Sequence, residues 1–131
     1  MWRRVNPNPC RTEEPDCVVR AISIATGMTW DETHRALCDM SREMCTMPSA
    51  NWLWGLWLTE HGFRRGSLPD GCPQCVTVAA FCRRFPRGTF VLGTGTHAVA
   101  AIDGDWMDAW DSGDEVLTCF YRKETEYRRD G

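Results

Sequence analysis

The spacing of apolar residues along the chain changes near Gly88. Before this glycine, apolar side chains recur every three or four positions, which is typical of amphipathic helices. After it they alternate with polar residues or form short continuous runs, which is typical of strands. This order predicts an α+β fold, in which N-terminal helices pack on a C-terminal antiparallel sheet of about four strands.

Four helices are predicted from their start and stop signals. Asp16 is a good N-cap for a first helix that opens with Cys17 and stops at Gly27. Thr29-Trp-Asp-Glu32 has the pattern of a capping box, and Thr77 caps a short fourth helix. The predicted helices cover residues 17–26, about 30–44, about 49–61 and 78–85.

The dipeptide Asp103-Gly104 predicts a tight hairpin between two strands, because both residue types favour the backbone of a two-residue turn. The predicted strands cover residues 89–92, 97–102, 105–110 and 116–122. The facing pairs across the hairpin would be Ile102 with Asp105, Val99 with Asp108, and His97 with Trp110. Asp108 would then lie on the same face as His97, diagonal to it and within reach.

No repeat or long linker interrupts these elements, so we expect a single domain over residues 1–131. Residues 1–15 are rich in proline, asparagine and arginine, which favours an extended lead-in. Residues 124–131 are charged and are expected to fray.

The composition narrows the classes of function. Apolar residues make up 43% of the chain and charged residues 25%, as is ordinary for a globular protein. A net charge of -3 gives no electrostatic support for nucleic-acid binding, and no stretch approaches the length of a membrane span. Eight cysteines without an export signal favour reduced thiols. We therefore expect a cytoplasmic protein that has neither nucleic acid nor membrane as its partner.

Three residues have the chemistry and the predicted positions of a thiol hydrolase. Cys17 is expected at a helix N-terminus, where the helix dipole and free amides favour a thiolate. His97 opens one strand, and Asp108 lies on the next. Cys17 would attack a carbonyl, His97 would take its proton, and Asp108 would orient the imidazole, with no cofactor required. Taken singly, Cys17 is better explained as a buried helix cysteine, and His97 as a half-buried strand histidine with one hydrogen bond.

Three further residues are assigned supporting roles. Trp110 would shield the imidazole from water. Asp111 is the reserve acid, because a three-residue turn would exchange its role with that of Asp108. A second oxyanion donor is needed beside the Cys17 amide, and Asn8 is the upstream side chain that we favour.

The order cysteine, histidine, acid, with the cysteine on a helix and the others on a sheet, resembles the papain-like cysteine peptidase superfamily. In size and layout the chain is similar to bacteriocin-processing peptidase domains, which cleave double-glycine leaders. A closer resemblance, to small papain-like proteins of phages and gut bacteria, is carried by the segments Asp16-Cys-Val-Val-Arg-Ala-Ile22, Thr29-Trp-Asp-Glu32 and Asp103-Gly-Asp-Trp-Met-Asp-Ala-Trp-Asp-Ser-Gly113. It covers about residues 6–122 and implies a triad of Cys17, His97 and Asp108 that acts on a peptide or protein.

The sequence departs from that family at the oxyanion hole. Papain-like enzymes usually carry a glutamine several residues before the nucleophile, where Arg11 and Thr12 stand here. Val18 follows the nucleophile, whereas bacteriocin-processing peptidases commonly have glycine there. A papain-like module that binds peptides or proteins without cleaving them is therefore an open alternative. Trp52 and Trp54 on the third helix would suit such a binding surface.

The segment Cys72-Pro-Gln-Cys75 leaves two further alternatives open. Its spacing matches a zinc half-site with Cys82 close by, and His34 with Cys38 would supply a second half. A small zinc-binding protein is thus a second alternative, although no second Cys-x-x-Cys pair exists. The same motif occurs in thioredoxin-like redox proteins, but the strand-motif-helix context that they require is missing.

Overall fold

The structure, a computed structural model, describes residues 1–10, 15–68 and 74–124. Over these ranges the predicted α+β class is confirmed. The helices are α1 (Cys17–Thr26), α2 (Trp30–Glu43), α3 (Asn51–Glu60) and α4 (Val78–Arg84). The strands are β1 (Trp2–Arg4), β2 (Phe63–Ser67), β3 (Thr89–Gly93), β4 (Ala98–Ile102), β5 (Asp105–Asp108) and β6 (Cys119–Lys123). None of the helices in these ranges has the length and apolar character needed to cross a bilayer.

The helix boundaries follow the predicted capping signals. Helix α1 starts at Cys17, and Gly27 ends it with a left-handed φ of 80°. The Thr29 hydroxyl accepts the Glu32 amide at 3.1 Å, and the Glu32 carboxylate accepts the Thr29 amide at 2.9 Å, which completes the capping box of α2. The Thr77 hydroxyl accepts an amide in the first turn of α4 at 3.1 Å.

The described strands form one six-stranded sheet, so the expectation of about four strands is wrong. Its order is β1-β5-β4-β3-β6-β2, which puts the two unpredicted strands at the opposite edges. Strand β1 has only three residues, and β2 buries only its first, so neither shows apolar alternation. Strand β1 also pairs with β5 in parallel, so the sheet is mixed rather than purely antiparallel.

Both faces of the sheet are covered. Helices α1, α2 and α3 pack on one face, and α4 packs on the other. Along β4, Ala98 and Ala100 face the first group, whereas Val99 and Ala101 face α4. A strand that is buried on both faces is apolar throughout, as this one is. The small alanine side chains on one face let α1, and Cys17 at its start, lie close to the sheet.

The predicted hairpin between β4 and β5 is confirmed. Asp103 has a φ of 49° and Gly104 a φ of 84°, as a type I′ turn requires. The turn pairs Ile102 with Asp105, which is the predicted register. This register determines where Asp108, the last residue of β5, lies relative to β4.

The predicted strands on either side of this turn are slightly too long. Strand β4 begins at Ala98 and β5 ends at Asp108, so the expected ladder pair between His97 and Trp110 is absent. The reason lies in the Asp108 carboxylate, which accepts the amide of Ala109 at 2.7 Å and so turns the chain out of the ladder.

The lead-in and the tail are described only in part. Residues 11–14 and 125–131 lie outside the described ranges. Glu124, at the start of the segment expected to fray, donates its amide to the Gly62 carbonyl at 2.8 Å. The chain is therefore held beside the sheet at this residue.

Phe81 on α4 is 1% exposed and contacts the rings of Phe85, Phe90 and Phe120. Phe81→Ala is expected to lower the free energy of unfolding by about 3–5 kcal/mol, because it leaves a cavity among these rings. Urea denaturation measures the difference. Trp52→Ala, at a side chain that is 54% exposed, should change it by less than about 0.5 kcal/mol. Equal losses in the two variants would contradict this account of the core.

Candidate active site

Cys17 is the first residue of α1 and is half-buried. The first hydrogen bond of the helix runs from the Arg20 amide to the Asp16 carbonyl at 2.9 Å, so the amides of residues 17–19 have no acceptor within the helix. Asp16 occupies the N-cap position, but its side chain makes no capping hydrogen bond. These amides and the positive end of the helix dipole favour negative charge at the Cys17 sulfur.

His97 lies one residue before β4, and the loop beside it fixes its backbone. Thr94 donates its amide to the His97 carbonyl at 3.0 Å, and the Thr94 hydroxyl accepts the His97 amide, also at 3.0 Å. Asn51, at the start of α3, donates a side-chain N–H to the Gly95 carbonyl in the same loop at 2.9 Å. The loop and α3 together therefore set the direction in which the imidazole leaves the backbone.

Asp108 is 3% exposed and binds donors through both carboxylate oxygens. Its Oδ2 accepts the Nε2–H of His97 at 2.6 Å and the Ser112 hydroxyl at 2.8 Å. Its Oδ1 accepts the Ala109 amide at 2.7 Å and lies 3.4 Å from Nη2 of Arg20. Burial raises the pKa of Asp108, but the hydrogen bonds from His97 and Ser112 outweigh it and the pKa is lowered. The group is therefore a carboxylate, and it holds the imidazole with Nε2 protonated.

Cys17 and His97 line the same cleft, and because Nε2 of the imidazole is bound to Asp108, Nδ1 is the ring nitrogen left for the thiol. Burial raises the pKa of Cys17, but hydrogen bonds with the His97 side chain and the Ala98 backbone outweigh it, so the pKa is lowered. Burial lowers the pKa of His97, whereas hydrogen bonds with Asp108 and Cys17 raise it to about 9. Between these two pKa values the pair is a thiolate and an imidazolium.

Cys17 and His97 line a cleft of about 660 Å³. Asn51 and Trp54 of α3 form part of another wall. The ring of Trp110 lies beside His97 with a centroid distance of 4.8 Å, although Trp110 is 46% exposed. It covers one side of the imidazole, although it does so from outside the strand ladder. The volume suits a short peptide segment.

A second cleft, of about 520 Å³, adjoins the first. The two clefts share Pro15, Val18 and Ser49 as a common wall. Much of the remaining lining of the second cleft is apolar, with Trp30 and Met47 among its residues. An extended ligand that passes Cys17 therefore has room to continue.

Asn8 lies away from the first cleft and lines the second. It is 5% exposed, its side-chain N–H donates to Asp16 at 3.0 Å, and its Oδ1 accepts the Cys10 amide at 2.9 Å. Asn8 therefore supports the N-cap residue of α1, and the expected role as an oxyanion donor finds no support in this arrangement. Arg11 and Thr12, which stand near the position of the family's glutamine, lie outside the described residues.

Asp111, the reserve acid, is held elsewhere. Its Oδ1 accepts the indole N–H of Trp106 at 2.9 Å and the Gly113 amide at 3.0 Å. The imidazole of His97 instead binds Asp108. The two-residue turn, which was the basis for preferring Asp108, accounts for this outcome.

The residues considered as zinc ligands do not form a common site where they are described. Cys72 lies outside the described ranges, and Cys75 is half-buried. Cys82 lies on the buried face of α4, where burial raises the pKa of its thiol to about 11. His34 and Cys38 contact each other on α2, with 3.7 Å between Nε2 and Sγ. Within the described ranges, no three histidine, cysteine or acidic side chains cluster in a way that could hold a metal ion.

Two residues that hold Asp108 were missed in the sequence. Arg20 did carry a signal, because it is a lone charge within an apolar helix and follows Asp16 by four positions, the spacing of a helical ion pair. Ser112 follows Asp108 by four positions in a turn-forming segment. Nothing in that segment distinguishes a serine that binds a carboxylate from one that only shapes a turn.

The thiolate–imidazolium pair predicts that iodoacetamide alkylates Cys17 selectively. At neutral pH, where an ordinary thiol is largely protonated, Cys17 should react more than about tenfold faster than Cys38, which is half-buried as well. Its rate should fall at still lower pH, where the thiolate is protonated. Its advantage should narrow as the pH rises through about 9, where His97 loses its proton. Peptide mass spectrometry measures the rate at each cysteine.

Two histidine variants test the origin of this reactivity. His97→Ala removes the partner of the thiolate and should slow Cys17 alkylation at neutral pH by about tenfold or more. His61→Ala is the matched control, because this imidazole stacks on Trp57 and does not line the cleft. Equal rates in wild type and His97→Ala would show that the ion pair does not activate the thiol.

Ser112→Ala is expected to lower the free energy of unfolding at neutral pH by about 1–3 kcal/mol, because the buried carboxylate of Asp108 loses a donor. A lowered carboxyl pKa stabilises the folded state above the unfolded pKa, and this contribution disappears as the pH falls through the folded value. The difference from wild type, measured by urea denaturation, should therefore shrink on acidification. Ser67→Ala, on an exposed edge strand, should have little effect at any pH. A loss that does not depend on pH would point to packing rather than to the charge.

Similarity to known proteins adds nothing to this description. No family model, no curated protein sequence and no solved structure matches the chain. The papain-like resemblance therefore rests on the segments around Cys17 and Asp108, and the function has to be inferred from the side chains of the site.

Proposed function

We propose that the chain is a papain-like cysteine hydrolase that cleaves peptide or other amide bonds through an acyl-enzyme. The observation that carries this proposal is the His97 imidazole, which lines one cleft with Cys17 and binds the buried Asp108 carboxylate at 2.6 Å. Cys17 and His97 border a cleft large enough for a peptide segment, and Asp108 lies buried behind His97. The resemblance to papain-like peptidases supports the same assignment.

In the first half of the reaction, the Cys17 thiolate attacks the carbonyl carbon of the scissile bond. The carbonyl oxygen gains negative charge, and the Cys17 amide, which has no helical acceptor, is the donor that we assign to it. The His97 imidazolium then gives its proton to the leaving nitrogen. The amide bond breaks, the amine departs, and the acyl group remains on sulfur as a thioester.

In the second half, the neutral His97 takes a proton from water, whose oxygen attacks the thioester carbon. The bond to sulfur breaks, the acid product departs, and the thiolate–imidazolium pair is restored. Asp108 keeps the imidazole in one tautomer and stabilises its positive charge throughout, without accepting the proton itself. The sequence predicts no cofactor for this cycle.

The substrate that we propose is a peptide or protein. The two adjoining clefts support an extended ligand rather than a compact one. A reducing compartment such as the cytoplasm suits a catalytic thiolate. The free thiols of Cys10, Cys17, Cys38, Cys45, Cys82 and Cys119 support this placement.

Cleavage of a complex peptide mixture tests the proposal directly. Wild-type protein and Cys17→Ala are each incubated with peptides derived from a bacterial proteome, and new termini are identified by mass spectrometry. We expect new termini with the wild type and none with Cys17→Ala, because the variant lacks the nucleophile. Asp108→Asn should slow the cleavage by about a hundredfold or more, because it disturbs the imidazole tautomer.

Asp111→Asn is the matched control for Asp108→Asn. It also neutralises an acid near the end of β5, but this acid binds Trp106 rather than His97, so the rate should stay close to that of wild type. If the wild type produces no new termini, the proposed hydrolase function is wrong. If the wild type and Cys17→Ala then also bind the same peptides from the mixture, the chain is a papain-like binding module.

A further inference from the structure

Arg20 lies on the inner side of α1 and is 6% exposed. Among the described residues it is the only buried arginine or lysine. Its Nη1 binds Oδ1 of Asp16, one helical turn earlier, and its Nη2 lies 3.4 Å from Oδ1 of Asp108. One guanidinium therefore joins the N-cap residue of the nucleophile helix to the acid that holds the imidazole.

The two carboxylates do not depend on Arg20 alone. Asp16 also accepts the side-chain N–H of Asn8 at 3.0 Å and the indole N–H of Trp30 at 2.8 Å. Asp108 has its own donors in His97 and the turn that follows β5. Burying a guanidinium is costly unless it is paired. Arg20 links α1 to Asp108 and places a positive charge near the thiol of Cys17.

The charge balance of the site shows what this positive charge does. Three groups of this cluster are negatively charged when ionised, namely Asp16, Asp108 and Cys17. Without Arg20, the imidazolium of His97 would be the only positive charge among the described residues of the cluster. Burial raises the pKa of Cys17 and the contacts with His97 lower it, and the charge of Arg20 lowers it further. The arginine thus favours the ionised thiol.

Few other titratable groups lie near this cluster. Strands β3 and β4 contribute none, since their residues are apolar or uncharged. Helix α2 contributes His34, which lines the second cleft together with Asp16, and Cys10 lines the same cleft. Neither His34 nor Cys10 lines the cleft that Cys17 borders.

We propose that Arg20 is a positioning residue of this site, which holds Asp108 toward His97 and extends the reactive range of Cys17 to lower pH. The proposal rests on the hydrolase function proposed above. Arg20 acts through Cys17, His97 and Asp108 and need not touch the substrate. Its effect is therefore on the pH range in which the thiol is reactive.

The test is the pH profile of Cys17 alkylation by iodoacetamide in the full chain. Arg20→Gln removes the charge but keeps a hydrogen-bonding side chain. The alkylation rate of Cys17 in Arg20→Gln should rise with pH around a midpoint that is higher than in the wild type. Below the wild-type midpoint, the rate should be about threefold to tenfold lower than that of the wild type. Arg20→Lys keeps the charge and should restore the midpoint, although a lysine cannot span both carboxylates as a guanidinium does.

Arg35→Gln is the matched control. Arg35 forms the same i,i+4 pair with Asp31 at 3.0 Å, but on the exposed face of α2, where its side chain is 76% exposed. It should leave the midpoint unchanged. A folded Arg20→Gln protein with the wild-type midpoint would overturn the proposal, because a purely structural arginine would alter stability and not the profile.

Arg20→Gln leaves Asp16 without its buried ion-pair partner, and the variant would be uninformative if it did not fold. A second comparison avoids this problem. Asp16→Asn combined with Arg20→Gln removes both charges and is compared with Asp16→Asn alone. The same upward shift is expected, and its absence would overturn the proposal. The wild-type profile separates the two hypotheses, since a wild-type Cys17 that reacts no faster than Cys38 at neutral pH defeats the proposed function. A reactive wild type with unshifted variants defeats only the role of Arg20.

Discussion

The ionised carboxylate of Asp108, which is 3% exposed, is the group on which the whole site depends. A carboxylate inside a protein is tolerated only when nearly all of its lone pairs accept hydrogen bonds. Its donors come from separate parts of the chain: Arg20 from α1, His97 from the loop before β4, and Ser112 from the turn after β5. Each donor is in place only when its own element is packed. Satisfying the carboxylate and assembling the triad are therefore one and the same condition.

Local signals in the sequence suffice for the elements that carry this site. Asp16 and Gly27 bracket α1 as predicted, and Asp103-Gly104 forms the predicted turn. These signals are dependable because each marks a backbone conformation or a cap that few residue types favour. The turn then carries the prediction further, since its length sets the register that brings Asp108, and not Asp111, within reach of His97.

What the sequence did not reveal depends on distant partners. The edge strands β1 and β2 carry no alternation, because an edge strand pairs through its backbone and leaves its side chains to the solvent. Arg20 lies 88 positions from Asp108, so only the folded chain shows that they meet. The contacts of Asn8 likewise become visible only in the folded chain. Asp16 occupies the N-cap position without a capping hydrogen bond from its side chain, and its carboxylate binds Asn8, Arg20 and Trp30 instead.

Strand β1 has a consequence for the order in which the site is made. The Trp2 indole and the Val5 amide both donate to the Asp108 carbonyl, and Trp2 and Asp108 lie 106 positions apart. During synthesis on the ribosome, α1 with its cysteine emerges long before β5, and contacts across such separations form late. Until then the thiol of Cys17 lacks the His97 imidazole, whose hydrogen bond lowers its pKa in the folded chain. The cluster of Cys17, His97 and Asp108 is therefore completed only after β4 and β5 have left the exit tunnel.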